Sequence, residues 1–127
     1  MRDSRLIMKA ELKRVHSPDV DDFSTYWPDD EENFSFLLEA MFGPAGMDGE
    51  ESFDIQVCTP KWLSNNYGKQ DIVVGRHLLV VFEYDFDRII SAIKKFADHS
   101  SGENWNEVAE KLSRFGKWEF EDYCPRH

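Results

Sequence analysis

The side chains with the numbers to do chemistry in this 127-residue sequence are carboxylates: 25 Asp and Glu, against 15 Lys and Arg, four His and two Cys. Two carboxylates facing each other across a cleft can share acid and base roles in hydrolysis. Nothing in the sequence singles out two of the 25. Asp19-Val20-Asp21-Asp22 and Asp85-Phe86-Asp87 are spaced like the start of a calcium loop, but neither continues into the loop's central glycine and closing glutamate. His16, His77, His99 and His127 form no H-x-x-x-H pair and no zinc ligand set. Cys58 and Cys124 match no metal spacing and read as free thiols in a reducing compartment rather than a disulfide. The stretch YGKQDIVVG holds only Gly68 and Gly75 and is no phosphate loop. No cofactor and no metal are expected, and an enzyme has no positive support. A small carboxylate-rich ligand-binding or hydrolytic domain stays as the alternative.

The net charge of −10 argues against a nucleic-acid or anionic-membrane binder, and its layout says more than its total. Residues 1–14 carry five basic and two acidic side chains, and residues 61–127 carry ten and eleven. Residues 15–60 carry twelve acidic side chains and no Lys or Arg. A single-sign field of this kind draws in a basic partner and speeds its association. Such a partner is often an enzyme of nucleic acids, whose own site must be positive. The longest apolar run, Leu78 to Phe82, is far short of a membrane span, and the N-terminus lacks the apolar stretch of a secretory signal. The expected location is the cytoplasm, so Asn33-Phe34-Ser35 is set aside as a glycosylation acceptor.

The elements that must carry these groups follow from periodicity. Met8 to His16 alternates as a half-buried strand, although its charges also suit a short helix. Residues 19–33 hold Pro28 and no clean period, and read as a loop anchored by Phe23, Tyr26 and Trp27. Phe34, Phe36, Leu38, Ala40 and Phe42 alternate, as do Phe53, Ile55 and Val57 beyond GPAGMDGE, which predicts a long-looped β-hairpin. Thr59 and Pro60 start a short helix through Asn66. His77 to Tyr84 is apolar on both faces except at Glu83 and predicts a central strand, with Phe82 in the core beside Phe36, Phe53, Trp105 and Phe115. Asp85 caps a helix with Ile89, Ile90, Ile93, Phe96 and Ala97 on one face. A second helix carries Trp105, Val108, Ala109, Leu112 and Phe115 and stops at Gly116, and Trp118 to Tyr123 forms a last strand. The expected fold is α+β, an antiparallel or mixed β-sheet with helices packed on one face. Residues 8–127 make one domain, and residues 1–7 read as an extension that leaves Met8 as a candidate start.

Several long blocks resemble a known family: MKAELKRVHSPDVDD, NFSFLLEAMFGP, ESFDIQVCTPKWL, GRHLLVVFEYDFDRI and WNEVAEKLSRFGKWEFEDY. Together they run from Met8 to Tyr123 and are similar to the immunity protein 8 family of bacterial polymorphic toxin systems. The resemblance implies a non-enzymatic protein, encoded beside a toxin, that binds the toxic domain in the cytoplasm and protects the producer and its kin. It supplies no catalytic motif, and its blocks at Cys58 to Leu63 and Trp118-Glu119-Phe120 read as determinants of the fold. Partner contact is then expected on the acidic loops and their aromatics: Asp21, Asp22, Tyr26, Trp27, Asp29, Asp30, Glu31 and Glu32, helped by Asp48, Glu50 and Glu51. The partner would be a basic toxin domain, neither nucleic acid nor membrane. Homo-oligomerisation through the hairpin, with Trp62 or Trp118 as anchor, stays open.

Overall fold

The computed structural model describes residues 7–70 and 72–120. Its elements in chain order are β1 (Met8–His16), β2 (Ser35–Pro44), β3 (Glu51–Cys58), α1 (Pro60–Tyr67), β4 (Leu78–Val80), α2 (Phe86–Asp98), β5 (Ser101–Gly102), α3 (Trp105–Leu112) and β6 (Lys117–Trp118). The sheet order is β4-β3-β2-β1-β5, with β6 also paired to β3. All pairings are antiparallel except the parallel β3–β4 pair, so the sheet is mixed and the fold α+β.

The hairpin forms as its alternation demands. Phe36, Leu38, Ala40 and Phe42 lie opposite Val57, Ile55, Phe53 and Glu51, and the first three of those pairs are fully buried on one sheet face. That face is closed by Ile89, Ile93 and Ala97 of α2 and by Val108, Ala109 and Leu112 of α3. Both helices start where local chemistry sets them: the Asp85 side chain accepts the Arg88 amide, and the Asn104 side chain accepts the Glu107 amide. Thr59 caps α1 as expected, with Pro60 in its first turn. No residue of α1 is buried, and its Trp62, Leu63 and Tyr67 instead line a groove with Gln56 and Leu78 at the sheet edge.

Three features depart from the periodic reading. A register shift between Leu12 and Arg14 puts a bulge in β1, so that Leu12 and Val15 both reach the core face. The segment from His77 is an edge strand of three residues, not a central strand through Tyr84. Its two apolar faces have different causes: Leu79 pairs with core-facing Val57, whereas Leu78 sits in the groove beside α1. The chain bends after Val81, and Phe82 is exposed rather than in the core. The last strand is Lys117–Trp118; Glu119 and Phe120, expected in it, form a turn, and 121–123 lie outside the described residues. Cys124 is also outside them, while Cys58 is a buried free thiol.

Gly43 in β2 is required by the hairpin loop. A Cβ there would stand 1.9 Å from the carbonyl oxygen of Gly49, which folds back over the strand. Gly43→Ala should displace that loop and cost about 2 kcal/mol, as overpacking in a tight site does. Thermal unfolding should show a Tm lower by roughly 6–10 °C, and an unchanged Tm would refute the close approach.

Candidate functional site

The acidic loop between β1 and β2 is built from aromatics inward and carboxylates outward. Phe23 packs on Phe36 and stacks on Phe86, with ring centroids 5.6 and 5.0 Å apart. Tyr26 meets Phe36 and Tyr84 edge-on at 5.8 and 5.4 Å, and Trp27 meets Tyr84 at 4.9 Å. Such ring pairs add stability beyond the area they bury. Burial raises the phenol pKa of Tyr26, helped by Asp29 and Asp19, and raises that of Tyr84, helped by Tyr26 and Asp85. The Tyr84 hydroxyl is buried without a hydrogen-bond partner. Trp27 keeps 60% of its surface exposed and donates its indole N–H to Glu31 Oε1 at 3.0 Å.

Several loop carboxylates shape the backbone. Asp19 Oδ2 accepts the Leu37 amide at 2.8 Å, continuing the ladder on β2 beyond the His16–Glu39 pair that ends β1. Asp22 Oδ1 accepts the Ser24 hydroxyl and amide, and these bonds hold its carboxyl below the usual range. Asp30 Oδ1 accepts the Glu32 amide at 2.9 Å. Asp21, Asp22, Asp29, Asp30, Glu31 and Glu32 are all exposed. The Glu31 carbonyl accepts the Tyr84 amide at 2.8 Å and ties this loop to the segment before α2. The structure thereby adds Phe82, Glu83 and Asp85 to the same end of the molecule, where with Glu32 they line a cleft of about 280 Å³. The apolar pattern of the sequence predicts a strand through Phe82 and Glu83 and a helix cap at Asp85, and gives no sign of this cleft.

Asp48, Glu50 and Glu51 lie elsewhere. They sit at the far end of the hairpin, separated from the 19–33 loop by the length of β2, ten residues or about 30 Å of strand. Here the basic N-terminal strand meets the acidic segment. Arg14 Nε stands 2.7 Å from Glu50 Oε1, and Lys13 Nζ donates to the Met47 carbonyl at 2.7 Å. Glu51 is used inside the fold, since its Oε1 accepts the indole N–H of Trp105 at 2.6 Å and of Trp118 at 3.0 Å. Trp118 also stacks on Phe53 at 6.1 Å and 7°.

The sheet face turned away from α2 and α3 carries a row of charges across four strands. His16 pairs with Glu39, Glu39 with Asp54, and Asp54 with Lys117. Two carboxylates opposite each other repel, and the row ends in the His16 imidazole on one side and the Lys117 ammonium on the other. His16 Nδ1 lies 2.5 Å from Glu39 Oε1. Burial raises the pKa of Asp54, and Glu39 and Glu119 raise it further, while Ser52 and Lys117 partly oppose them. The repulsion at Asp54 is thus only partly offset within the sheet. Among the described residues no group of three or more His, Cys, Asp or Glu is placed to hold a metal ion. Burial pushes the Cys58 thiol up, away from the thiolate that a nucleophile needs. No helix among the described residues is long and apolar enough to cross a membrane.

Two outcomes follow from these contacts. Glu51→Ala removes the shared acceptor of two indoles and should destabilise by about 2 kcal/mol, read as a Tm drop of roughly 6–10 °C; a drop under 2 °C would show that the indoles do not depend on it. Asp54 binds its proton more tightly folded than unfolded, so this carboxyl favours the fold below its unfolded pKa and loses that contribution as pH rises through the folded pKa. Asp54→Asn should therefore raise Tm at pH 7, and the gain should shrink as the pH is lowered into the carboxylate range. A gain independent of pH would contradict the charge argument.

Residues 10–123 match the family described as immunity protein 8. No curated protein and no solved structure matches the chain.

Proposed function

The chain belongs to the immunity protein 8 family, and we propose that it neutralises the toxic domain of a cognate bacterial toxin by binding it one-to-one, in the cytoplasm and without catalysis. Family membership supports the role. One structural observation supports the placement: the 19–33 loop holds seven exposed carboxylates over an aromatic anchor, while Glu50 and Glu51 of the other acidic loop are bound up with Arg14, Trp105 and Trp118. The contact surface is then Asp21, Asp22, Tyr26, Trp27, Asp29, Asp30, Glu31 and Glu32. Asp48, Glu50 and Glu51 drop to a structural or peripheral part.

The partner on this reading is a basic toxin domain. A surface with uncompensated negative charge gains most from a partner whose own site is positive, both in encounter rate and in discrimination against acidic competitors. Inhibition follows from covering or distorting the toxin's site over an interface of standard size, about 800 Å² on each partner. The loop is suited to this because its backbone is pinned by Asp19, Asp22, Asp30 and Tyr84, so little ordering cost remains on binding.

Reversal of Asp29, Asp30, Glu31 and Glu32 to Lys should slow association with the toxin domain encoded beside this chain by at least about tenfold at low salt. The difference should close as ionic strength rises and the Debye length contracts. Association measured by surface plasmon resonance across a salt series checks this. Equal association rates at low salt would remove the contact from this loop.

A further inference from the structure

The acidic end of the molecule also presents an aromatic ring with no place in the fold. Phe82 is 79% exposed, more than Trp27, although the run before it is apolar enough for a strand. The reason lies in the chain path. Tyr84 takes the inward position and its amide goes to Glu31, so the bend at residues 82–83 throws Phe82 outward. Scattered exposed apolar residues are ordinary, but this one borders a cleft. Val81 and Ile89 supply apolar lining, and Glu32, Glu83 and Asp85 supply carboxylates. Arg88 stands 3.6 Å from Asp85 with its side chain 84% exposed, a loose pair that an incoming cation can replace.

Ring, apolar lining and acidic rim complement one chemistry, an alkyl stem ending in a cation. An aromatic face attracts an ammonium or guanidinium group, and carboxylates bind it in charge-assisted hydrogen bonds. A further exposed apolar stretch, Ile72 to Val74, lies between Asp71 and Arg76 in the sequence, and its Val73 and Val74 line the groove with Trp62, Leu63 and Tyr67 instead. Resting on the immunity reading, we propose that Phe82 is the apolar anchor of the toxin contact and that the cleft beside it receives a lysine or arginine side chain of a basic toxin domain. Central aromatic anchors that exclude water carry most of the affinity in protein interfaces. Phe82 has the exposure and the acidic surround for that part, and the 29–32 loop then forms the charged rim.

The test uses the full chain and the toxin domain encoded beside it, with affinity from calorimetry and rates from plasmon resonance. Phe82→Ala should weaken binding by about 30-fold or more, mostly through faster dissociation, with Tm unchanged because the ring is exposed. Glu83→Lys should slow association at low salt, and Val74→Ser should bind like the unaltered chain. If Phe82→Ala and Glu83→Lys both bind within twofold of the unaltered chain, the anchor is overturned, while a slowed loop reversal still upholds the toxin contact. If the unaltered chain does not bind the toxin domain at all, the immunity reading fails and the anchor with it.

Discussion

The alternation of large apolar and polar side chains along β2 and β3 constrains everything else in this molecule. Phe36, Leu38, Ala40, Phe53, Ile55 and Val57 share one face, so a slip of one residue in the pairing would turn that whole set to solvent. Register is therefore strongly specified. The hairpin in turn sets where the charged loops go. One leaves the start of β2 and the other joins its end to β3, which puts them at opposite ends of a rigid bar. The helices pack on the apolar face, and the opposite face carries its charges in a row from His16 to Lys117.

Folding redistributes the charge that the linear sequence segregates. The basic residues of β1 and the acidic residues after β2 belong to different blocks of sequence, yet antiparallel pairing brings Arg14 to Glu50 and Lys13 over the hairpin loop. Asp54 meets Lys117 from the C-terminal part in the same way. The largest remainder is the 19–33 loop, joined by Glu83 and Asp85 through the bond from the Tyr84 amide to Glu31. Most of the exposed carboxylates of the 46 residues without a cation thus gather at one end. An extended negative surface in sequence becomes a local one in space, which is the form useful for recognising a single basic partner.

Elements governed by local rules were legible in the sequence. The hairpin follows from period-two alternation, α1 from Thr59 and Pro60, and α2 from Asp85 and the spacing of Ile89, Ile93 and Ala97. The acidic loop was legible for the same reason, since Pro28 and the lack of any period forbid a regular element. The rest needed tertiary information. The bulge at Lys13 is visible only against β2. The two-residue strand β5 is too short to carry a period. The run from Leu78 looked central because it is apolar on both sides, but only Leu79 faces the core while Leu78 lines an open groove with Trp62, Leu63 and Tyr67, and the two cases leave the same apolar pattern. Phe82 was misplaced by the same pattern, because its exposure depends on where Tyr84 bonds. That Glu51 is used inside the fold could be learned only from Trp105 and Trp118, which reach it across more than fifty residues.

The stoichiometric neutralisation of a cognate toxin proposed for this chain is read most directly by titrating the activity of the purified toxin domain with the chain. Toxin activity should fall linearly and reach its end at one equivalent, with no loss of either protein's covalent integrity. Full toxin activity in excess chain, or complete loss at a small fraction of one equivalent, would contradict it.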